Sequence, residues 1–333
     1  MQDVTDLPFM RVLARRGAPD WFVTEYFRVH PESCLDRYIL RSIRENETGR
    51  PIFAQMIGRD LDGLVRTAAQ LEEYPVAGID LNLGCPAPIV CRKDAGGGLL
   101  RSPETVNRLI GSLRESIRGR FTVKTRLGYT SPDEFAGLLE IFRSHAIDGL
   151  SVHGRTVLER YQTPVHPEMV RMAVAAMPCP VIANGNVVNV ASGLAYMEQT
   201  HAAGLMIGRG AIRNPWIFSQ LIAAFESREV CAPTYRDLWE YVSELYAELA
   251  AATPKFDALA HVQRMKKTLA YISHGLEGDF EHEMRRMKTP EDFHEICARH
   301  LDRPEPLPSR PPVGSKLFCG FEELGGRELR VES

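Results

Sequence analysis

The feature that most constrains the fold of this chain is a regular alternation of two patterns between residues 21 and 207. Apolar runs of strand length alternate with stretches in which apolar residues recur every three or four positions, as in amphipathic helices. The strand-length runs are Trp21–Phe27, Ile52–Ile57, Ala77–Leu83, Phe121–Thr125, Gly149–Val152, Val181–Ala183 and Gly204–Ile207. The helical stretches are Leu61–Leu71, Pro103–Ile117, Pro132–Ser144, Pro167–Ala176 and Val190–Gln199. This alternation predicts an α/β protein with a parallel sheet covered by helices.

Polar residues at the ends of the predicted strands favour a barrel over an open doubly wound sheet, which shows the same alternation. The residues that follow or close the apolar runs include Gln55, Asn82, Cys85, Lys124, Arg126, His153, Asn184, Asn186, Gly208 and Arg209. The active sites of (β/α)8 barrels are built from the carboxyl ends of several strands and the loops after them. We therefore predict a (β/α)8 TIM barrel with a site at its mouth.

The count of strands is one short of a complete barrel. We find seven strands, and the chain opens at Met1 in what reads as the loop and helix after a first strand. We therefore expect a barrel that lacks its first strand, and we assign residues 1–225 to it. Helical patterns without strands between them predict a small all-α domain over residues 226–300, and a proline-rich, polar composition predicts a mobile tail over residues 301–333.

Composition indicates a soluble globular protein of the cytoplasm. Of the 333 residues, 44% are hydrophobic and 25% are charged, and the seven cysteines are scattered without a Cys-x-x-Cys pair. We therefore expect a reducing compartment and no metal site. The sequence contains neither a signal peptide nor a run of about 18 apolar residues, so we expect no membrane partner. The net charge of −3 leaves a nucleic-acid partner open, and we expect a monomer.

Two glycine-containing turns predict a phosphate site. Asn184-Gly185-Asn186 and Gly208-Arg209 follow the last two predicted strands, where barrels of this type commonly bind phosphate. Glycine lets backbone N–H groups approach an anion, and the guanidinium of Arg209 can pair with a phosphate through two hydrogen bonds. Either turn alone could be a simple loop. The two together favour a phosphorylated cofactor.

A flavin fits the polar residues of the other strand ends. Lys124 and His153 end neighbouring strands, and a buried cation at a barrel mouth needs an electron-rich partner. The N1/O2 edge of a reduced flavin is such a partner for Lys124, and Gln55 could bind the pyrimidine edge. A lone histidine such as His153 is more often a satisfied core residue, but its place in Val-His-Gly-Arg at a strand end favours cofactor binding.

Cys85 is the candidate acid of the site. A single cysteine is most often a small buried apolar residue, but this one stands between Gly84 and Pro86, directly after a strand. A thiol on that loop can donate a proton at the barrel mouth. Cys91 reads instead as an ordinary loop residue, and the glycine run 96–98 reads as a turn.

The chain resembles the tRNA-dihydrouridine synthase family. The resemblance is carried by seven motifs in the family's order: Val4-Thr-Asp-Leu-Pro-Phe9, Gln55-Met-Ile-Gly58, Asp80-Leu-Asn-Leu-Gly-Cys-Pro86, Val123-Lys-Thr-Arg126, Val152-His-Gly-Arg155, Val181-Ile-Ala-Asn-Gly-Asn186 and Met206-Ile-Gly-Arg209. It covers residues 1 to about 300, and the stretch Phe22–Val29 looks most like the subgroup that acts on position 16 of tRNA. The family's opening Ala-Pro-Met survives only as Met1.

The resemblance implies an FMN-dependent reduction of one uridine in tRNA, with NADPH as the reductant. Flavin N5 would deliver hydride to C6 of an extruded uracil, and Cys85 would protonate C5 from the opposite face. The implied FMN contacts are Met1, Gln55, Lys124, His153, Asn184, Gly185, Asn186, Gly208 and Arg209. Asn82 and Arg126 would hold the uracil.

The implied tRNA surface combines the barrel rim with the helical domain. Lys93 and Arg155 lie on the predicted rim, and Lys266 and Lys267 lie in a basic stretch of the helical domain. Such clusters can bind phosphates, although a basic helix face is often only solvated. Two other functions remain open at this point: a flavin enzyme of the dihydroorotate dehydrogenase type, and a tRNA-binding protein without catalysis.

Overall fold

Eight parallel strands form one sheet in the computed structural model, which describes residues 4–161, 163–276, 278–312 and 315. The strands are β1 (Phe22–Val23), β2 (Phe27–Val29), β3 (Ile52–Gly58), β4 (Gly78–Leu83), β5 (Phe121–Arg126), β6 (Gly149–His153), β7 (Val181–Asn184) and β8 (Gly204–Met206). They fill seven positions, because β1 and β2 both pair with β3. From β3 to β8 the order in the sheet follows the order in the chain.

This topology confirms the predicted TIM-type barrel with one strand lacking. Parallel strands in chain order, each followed by a helix, are the arrangement of a (β/α)8 barrel. Within the described ranges no strand joins β8 to β1, which is the position of the missing first strand. The sequence reading Trp21–Phe27 merged two short strands, β1 and β2, into one.

Among the helices of the barrel part, several begin at a capping side chain. The helices of this part are α1 (Leu7–Gly17), α2 (Arg37–Arg44), α3 (Leu61–Leu71), α4 (Pro88–Cys91), α5 (Pro103–Ser116), α6 (Phe135–Ser144), α7 (Pro167–Ala176), α8 (Val190–Thr200), α9 (Arg209–Arg213) and α10 (Ile217–Phe225). Asp6, Asp60 and Ser102 each accept a hydrogen bond from a backbone N–H in the first turn of α1, α3 and α5. Such caps satisfy donors that the helix itself leaves unpaired.

Four further helices form the C-terminal helical region: α11 (Tyr235–Ala252), α12 (Ala258–Ile272), α13 (Phe280–Arg286) and α14 (Pro290–Leu301). Its core contains an aromatic pair, with Tyr246 stacked on the fully buried Phe293 at a ring distance of 4.5 Å. The region is fastened to the barrel by ion pairs. Arg15 of α1 pairs with Glu248 at 2.7 Å, and Arg264 of α12 pairs with Asp6 at 2.6 Å.

The first part of the predicted tail is paired, which differs from the mobile tail that we expected. The backbone N–H groups of Tyr235 and Leu307 donate to the carbonyls of Glu305 and Pro233. The guanidinium carbon of Arg303 lies 3.7 Å from the centre of the Tyr235 ring. These contacts satisfy the backbone of a proline-rich segment without a helix or sheet. Residues 313, 314 and 316–333 lie outside the described part of the chain.

No described helix combines the length and the apolar character that crossing a membrane requires.

A buried arginine joins the barrel to the C-terminal helical region, and its removal should cost stability. Arg213 ends α9 and donates to the carbonyls of Ile272 and His274, at 2.5 and 2.6 Å, where α12 ends. Arg213→Met leaves these two carbonyls without their donor, so we expect the free energy of unfolding in urea to fall by about 2–3 kcal/mol. The control Arg228→Met, at an arginine side chain that is 60% exposed, should change it by less than about 0.5 kcal/mol.

Candidate active site

The pairing register of the strands places polar side chains side by side on one face of the sheet. Because side chains alternate along a strand, Thr122, Lys124 and Arg126 of β5 share one face, while Phe121 and Val123 are fully buried on the other. The register pairs are Gln55 with Asp80, Asp80 with Thr122, Asn82 with Lys124, Lys124 with Ser151, Arg126 with His153, and His153 with Asn184. Barrel interiors are normally filled by branched apolar side chains, so these polar rows mark a site.

A chain of hydrogen bonds runs from the sheet interior to the loop that carries Cys85. The Thr122 hydroxyl donates to Asp80 Oδ1 at 2.6 Å, and Gln55 Nε2 donates to Asp80 Oδ2 at 2.8 Å. Asn82 Nδ2 then donates to Gln55 Oε1 at 2.9 Å. The other end of the Asn82 amide, Oδ1, accepts from the backbone N–H of Cys85 at 3.0 Å. Burial raises the pKa of Asp80 to about 6, although these hydrogen bonds and Lys124 oppose the rise.

The backbone of Cys85 is held on both sides, and its side chain is half-buried. Its N–H donates to Asn82, and its carbonyl accepts from the N–H of Gly97 at 3.0 Å and from the thiol of Cys91 at 3.4 Å. A Cβ on Gly97 would lie 2.9 Å from the Cys85 carbonyl oxygen, too close for any other residue. The glycine run therefore lets this segment pack beneath the Cys85 loop, which is more than the turn that we predicted.

Four cations lie around His153 at the end of β6: Lys124, Arg126, Arg155 and Arg209. Arg126 is 1% exposed and donates to three carbonyls, those of Gly84, Thr156 and Arg160, at 2.9, 2.7 and 2.8 Å. Burial and the charge of Arg126 together lower the pKa of Lys124 to about 8, while Asp80 and Cys85 oppose the fall. Cys85, Lys124 and Arg126 are therefore near neighbours.

An aromatic ring joins two of these cations to His153. The ring centre of Tyr161 lies 5.1 Å from the guanidinium carbon of Arg126, 4.2 Å from that of Arg209 and 5.9 Å from the imidazole of His153. Burial lowers the pKa of His153 well below its usual value, and Arg126 and Lys124 lower it further, so the imidazole is neutral near pH 7. Its buried Nδ1 has no hydrogen-bond partner within the described residues.

The turn after β7 has a backbone conformation that favours glycine, and it is tied to the end of β8. Gly185 has φ +141° and Asn186 has φ +49°, both in the region that favours glycine. Asn184 Nδ2 donates to the carbonyl of Met206 at 2.7 Å, which ties the ends of β7 and β8 together. Arg155 is fully buried and donates to Asn186 Oδ1 at 3.2 Å.

The donor set of this mouth fits an anionic ligand with hydrogen-bonding edges. Lys124, Arg126 and Arg209 meet near His153, whereas the carboxylate that acts on Lys124 is that of Asp80. Buried positive charge in excess of negative charge is costly unless an anion neutralises it. The unpartnered Nδ1 of His153 adds a group that a ligand could satisfy.

The other predicted residues lie elsewhere or outside the described chain. Lys93 is exposed and lines an open cleft of about 1240 Å³ beside the loop that follows Cys85. Lys266 and Lys267 lie on α12, away from the polar rows, and Lys266 donates to the carbonyl of Arg285 at 2.8 Å. Met1 lies outside the described residues.

Sequence reasoning gave no role to three residues of this site. Asp80 stood within a quoted motif, but the sequence does not reveal which amides its carboxylate meets. Tyr161 lies in a loop whose sequence has no periodic signal. Tyr26 borders the site as well. Burial raises the pKa of its hydroxyl, and the neighbouring Cys85 raises it further. Among the described side chains, no group of three or more His, Cys, Asp or Glu residues could hold a metal ion.

Comparison with known proteins gives consistent results. The sequence profile of the dihydrouridine synthase (Dus) family matches residues 1–303. A Pseudomonas putida protein named tRNA-dihydrouridine(16) synthase is 33% identical over 285 residues, which cover 82% of this chain and 86% of the relative. A protein of the same name from Cupriavidus necator is 30% identical over 262 residues, covering 75% and 81%. The solved old yellow enzyme homologue from Zymomonas mobilis, at 13% identity, has a TM-score of 0.50 over 68% of this chain and 85% of that one. This last likeness concerns the fold alone.

The lowered pKa of Lys124 predicts a pH dependence of stability. A buried amine with a pKa of about 8 binds fewer protons in the folded state than in the unfolded state above that pH. Stability from this group therefore rises as the pH increases from about 8 towards 10. We expect the free energy of unfolding of the wild type to gain about 1–2 kcal/mol more over this interval than that of Lys124→Met. Urea unfolding at both pH values measures the difference, and parallel curves would contradict the assignment.

Proposed function

The chain belongs to the dihydrouridine synthase family, and on this premise we propose that it is an FMN-dependent enzyme that reduces a uridine of tRNA to 5,6-dihydrouridine. We propose NADPH as the reductant, and we propose position 16 as the target because the Pseudomonas putida and Cupriavidus necator relatives carry the name tRNA-dihydrouridine(16) synthase. The family match favours this function over a dihydroorotate dehydrogenase-like one. The observation that carries the proposal is the position of Cys85, whose backbone is held by hydrogen bonds on both sides, beside the cations of the barrel mouth.

Two groups of residues at the mouth would hold FMN, one at its ring system and one at its phosphate. Gln55, Lys124 and His153 would bind the ring system, and the turns containing Asn184, Gly185, Asn186, Gly208 and Arg209 would bind the phosphate end. The excess positive charge and the unpartnered Nδ1 of His153 support this fit. FMN, when bound, would supply hydride to C6 of the uracil.

Cys85 would donate the proton to C5 of the uracil. Its backbone is held by Asn82 on one side and by Gly97 and Cys91 on the other, so the loop that carries the thiol has a fixed place at the mouth. A donor on a fixed loop has a lower entropic cost of reaching the reacting carbon. Lys124 and Arg126 interact electrostatically with Cys85, so cationic side chains lie near the group that gives up the proton.

Asn82 and Arg126 are our candidates for contacts with the extruded uracil. Arg155, which we expected on the barrel rim, is fully buried and donates to loop oxygens. Asn82 and Arg126 already have partners within the protein, since Asn82 bonds to Gln55 and Cys85, and Arg126 bonds to loop carbonyls. These bonds hold the two side chains in place at the mouth.

We propose that residues 226–300 form the tRNA-binding unit, with Lys93 extending the surface to the barrel rim. Lys267 is exposed on α12, and Lys266 lies beside it. Basic side chains on the surface bind phosphates with little dependence on sequence. The tRNA would therefore be held by its backbone while one base enters the mouth.

The proposed function is tested by mapping dihydrouridine in tRNA from cells with and without this gene. We expect loss of the modification at position 16 alone, and loss at another position would reject the site specificity. Purified protein should bind FMN and reduce unmodified tRNA in the presence of NADPH. A protein that binds tRNA but neither FMN nor NADPH would instead support the non-catalytic function, and activity on free dihydroorotate would support the third.

Cys85→Ala should separate flavin binding from turnover. The substitution removes the proton donor but none of the proposed FMN contacts, so we expect normal FMN content and a rate on native tRNA that is lower by about 100-fold or more. Cys231→Ala removes an exposed thiol and serves as the control. Absorbance of the purified protein and a single-turnover assay measure the two properties. Wild-type rates in Cys85→Ala would reject the assignment of the acid.

Charge reversal on α12 should weaken tRNA binding. We expect the double variant Lys266→Glu/Lys267→Glu to bind tRNA at least about tenfold more weakly and to show a shallower salt dependence, because fewer phosphates are neutralised. The matched control is Arg118→Glu/Arg120→Glu, which changes the net charge equally just before β5, at the end of the sheet opposite the mouth. Titrations at several salt concentrations compare the two. Equal losses in both variants would show a general charge effect and contradict the proposed surface.

A further inference from the structure

The buried carboxylate of Asp80 has no part in the proposed binding or proton transfer, yet it begins the hydrogen-bond chain that ends at Cys85. Asp80 is 2% exposed, and both of its oxygens have partners within the barrel. Gln55 and Asn82 form the two middle links, and both are buried as well. Every link has a donor–acceptor distance between 2.6 and 3.0 Å.

We propose that Asp80 is a positioning residue, which sets the orientation of Cys85 through the side-chain amides of Gln55 and Asn82. This inference deepens the proposed function and rests on it for the role of Cys85, but the geometry of the chain of bonds does not depend on the reaction.

The argument depends on which groups can accept hydrogen bonds and which can donate them. An ionised carboxylate only accepts, so Gln55 must turn its Nε2 towards Asp80 and its Oε1 away. The Oε1 atom then requires a donor, which is Asn82 Nδ2. Asn82 is left with Oδ1 facing the loop, where it accepts from the backbone N–H groups of Gly84 and Cys85 at 3.0 Å.

The two ends of this chain require the same orientation of both amides. Backbone N–H groups only donate, and the ionised Asp80 only accepts, so the orientation that Asp80 imposes on Gln55 and Asn82 is the one that the loop needs, and both ends together hold it. A carboxamide without such neighbours can rotate by half a turn at little cost in shape. If one of these amides flipped, a donor would face a donor, or an acceptor would face an acceptor. In a buried place such a mismatch costs free energy.

The groups that face Asp80 are the Thr122 hydroxyl on β5, the Gln55 amide on β3 and the Lys124 ammonium on β5, of which only Lys124 is charged. The property that positions Gln55 is an acceptor atom at this place, which any side chain with an oxygen directed at Gln55 Nε2 can supply.

The first test compares Asp80→Leu with Asp80→Asn. Leucine offers no acceptor to Gln55, whereas asparagine can place its oxygen there and donate its NH2 group to the Thr122 hydroxyl. The readout is the rate at which iodoacetamide alkylates Cys85, measured by mass spectrometry on the protein without substrate, with the exposed Cys34 and Cys231 as internal references. We expect alkylation of Cys85 at least about fivefold faster in Asp80→Leu and within about twofold of wild type in Asp80→Asn.

The second test reverses the polarity of the chain and does not require Asp80→Leu to fold. In Asn82→Asp alone, a carboxylate lies at each end of the Gln55 amide. The Oε1 atom of Gln55 then faces the oxygen of the new carboxylate without a hydrogen between them. In Asn82→Asp/Asp80→Asn the Gln55 amide can flip, so its two links reverse direction while the links to Thr122 and to the loop keep theirs, and all of them are satisfied. We expect the single variant to change the alkylation rate by at least about fivefold and the double variant to return it to within about twofold of wild type.

The third readout is catalytic. We expect the single-turnover rate of flavin-loaded Asp80→Leu to fall by about 100-fold with a smaller change in the affinity for tRNA. Thr125→Val is the control, because Thr125 is a buried threonine of the neighbouring strand β5 whose hydroxyl donates to the carbonyl of Arg126 and not to Asp80.

The outcomes separate this inference from the proposed function. Wild-type alkylation in Asp80→Leu, or the lack of rescue in the double variant, would overturn the positioning role even in an active enzyme. Equal damage in Asp80→Asn and Asp80→Leu would overturn it too, since the charge opposite Lys124 would then be the important property. If no variant or wild type reduces tRNA, while the alkylation pattern holds, the proposed function fails and the positioning role stands.

Discussion

The register of the parallel strands is the constraint on which the candidate site depends. Parallel pairing sets residues of adjacent strands side by side, and alternation along each strand gives them a common face. Lys124 thereby stands between Asn82 and Ser151, and His153 stands between Arg126 and Asn184. A shift of one residue in β5 would turn Lys124 towards the helices and Val123 into the mouth. The rest of the site, including the loop of Cys85, is built on top of these rows.

The polar mouth costs stability, and the opposite faces of the same strands offset that cost. Buried groups without partners cost about 1–3 kcal/mol each. Arg126 avoids this penalty through three carbonyl partners, whereas the lowered pKa of Lys124 shows that its surroundings stabilise the charge less well than water does. Phe121 and Val123, both fully buried, supply apolar contacts on the other side of β5. A ligand with negative charge would neutralise the cations of the mouth and so reduce the cost of burying them.

The sequence predicted the barrel and most of the mouth, because periodicity and strand ends are local signals. Lys124, His153 and Asn184 were found since each closes an apolar run. The role of Asp80 was not predictable, because it depends on amides that are 25 residues away in β3 and two residues away in β4. The pairing of Leu307 with Pro233 was also beyond the sequence, since a proline-rich segment shows no sign of the partner that orders it.

Two side-chain contacts, made by Arg213 and Arg264, join the C-terminal helical region to the barrel. Arg213 ends α9, the helix that starts at Arg209 of the proposed phosphate turn, and it binds the carbonyls where α12 ends. Arg264 of α12 pairs with Asp6, which caps α1. The helix that carries Lys266 and Lys267 is thus fixed to the barrel both near its middle and at its end. If tRNA binds on α12 as we propose, these two contacts would set its distance from the mouth, and the choice of nucleotide would depend on that distance as well as on contacts with the base.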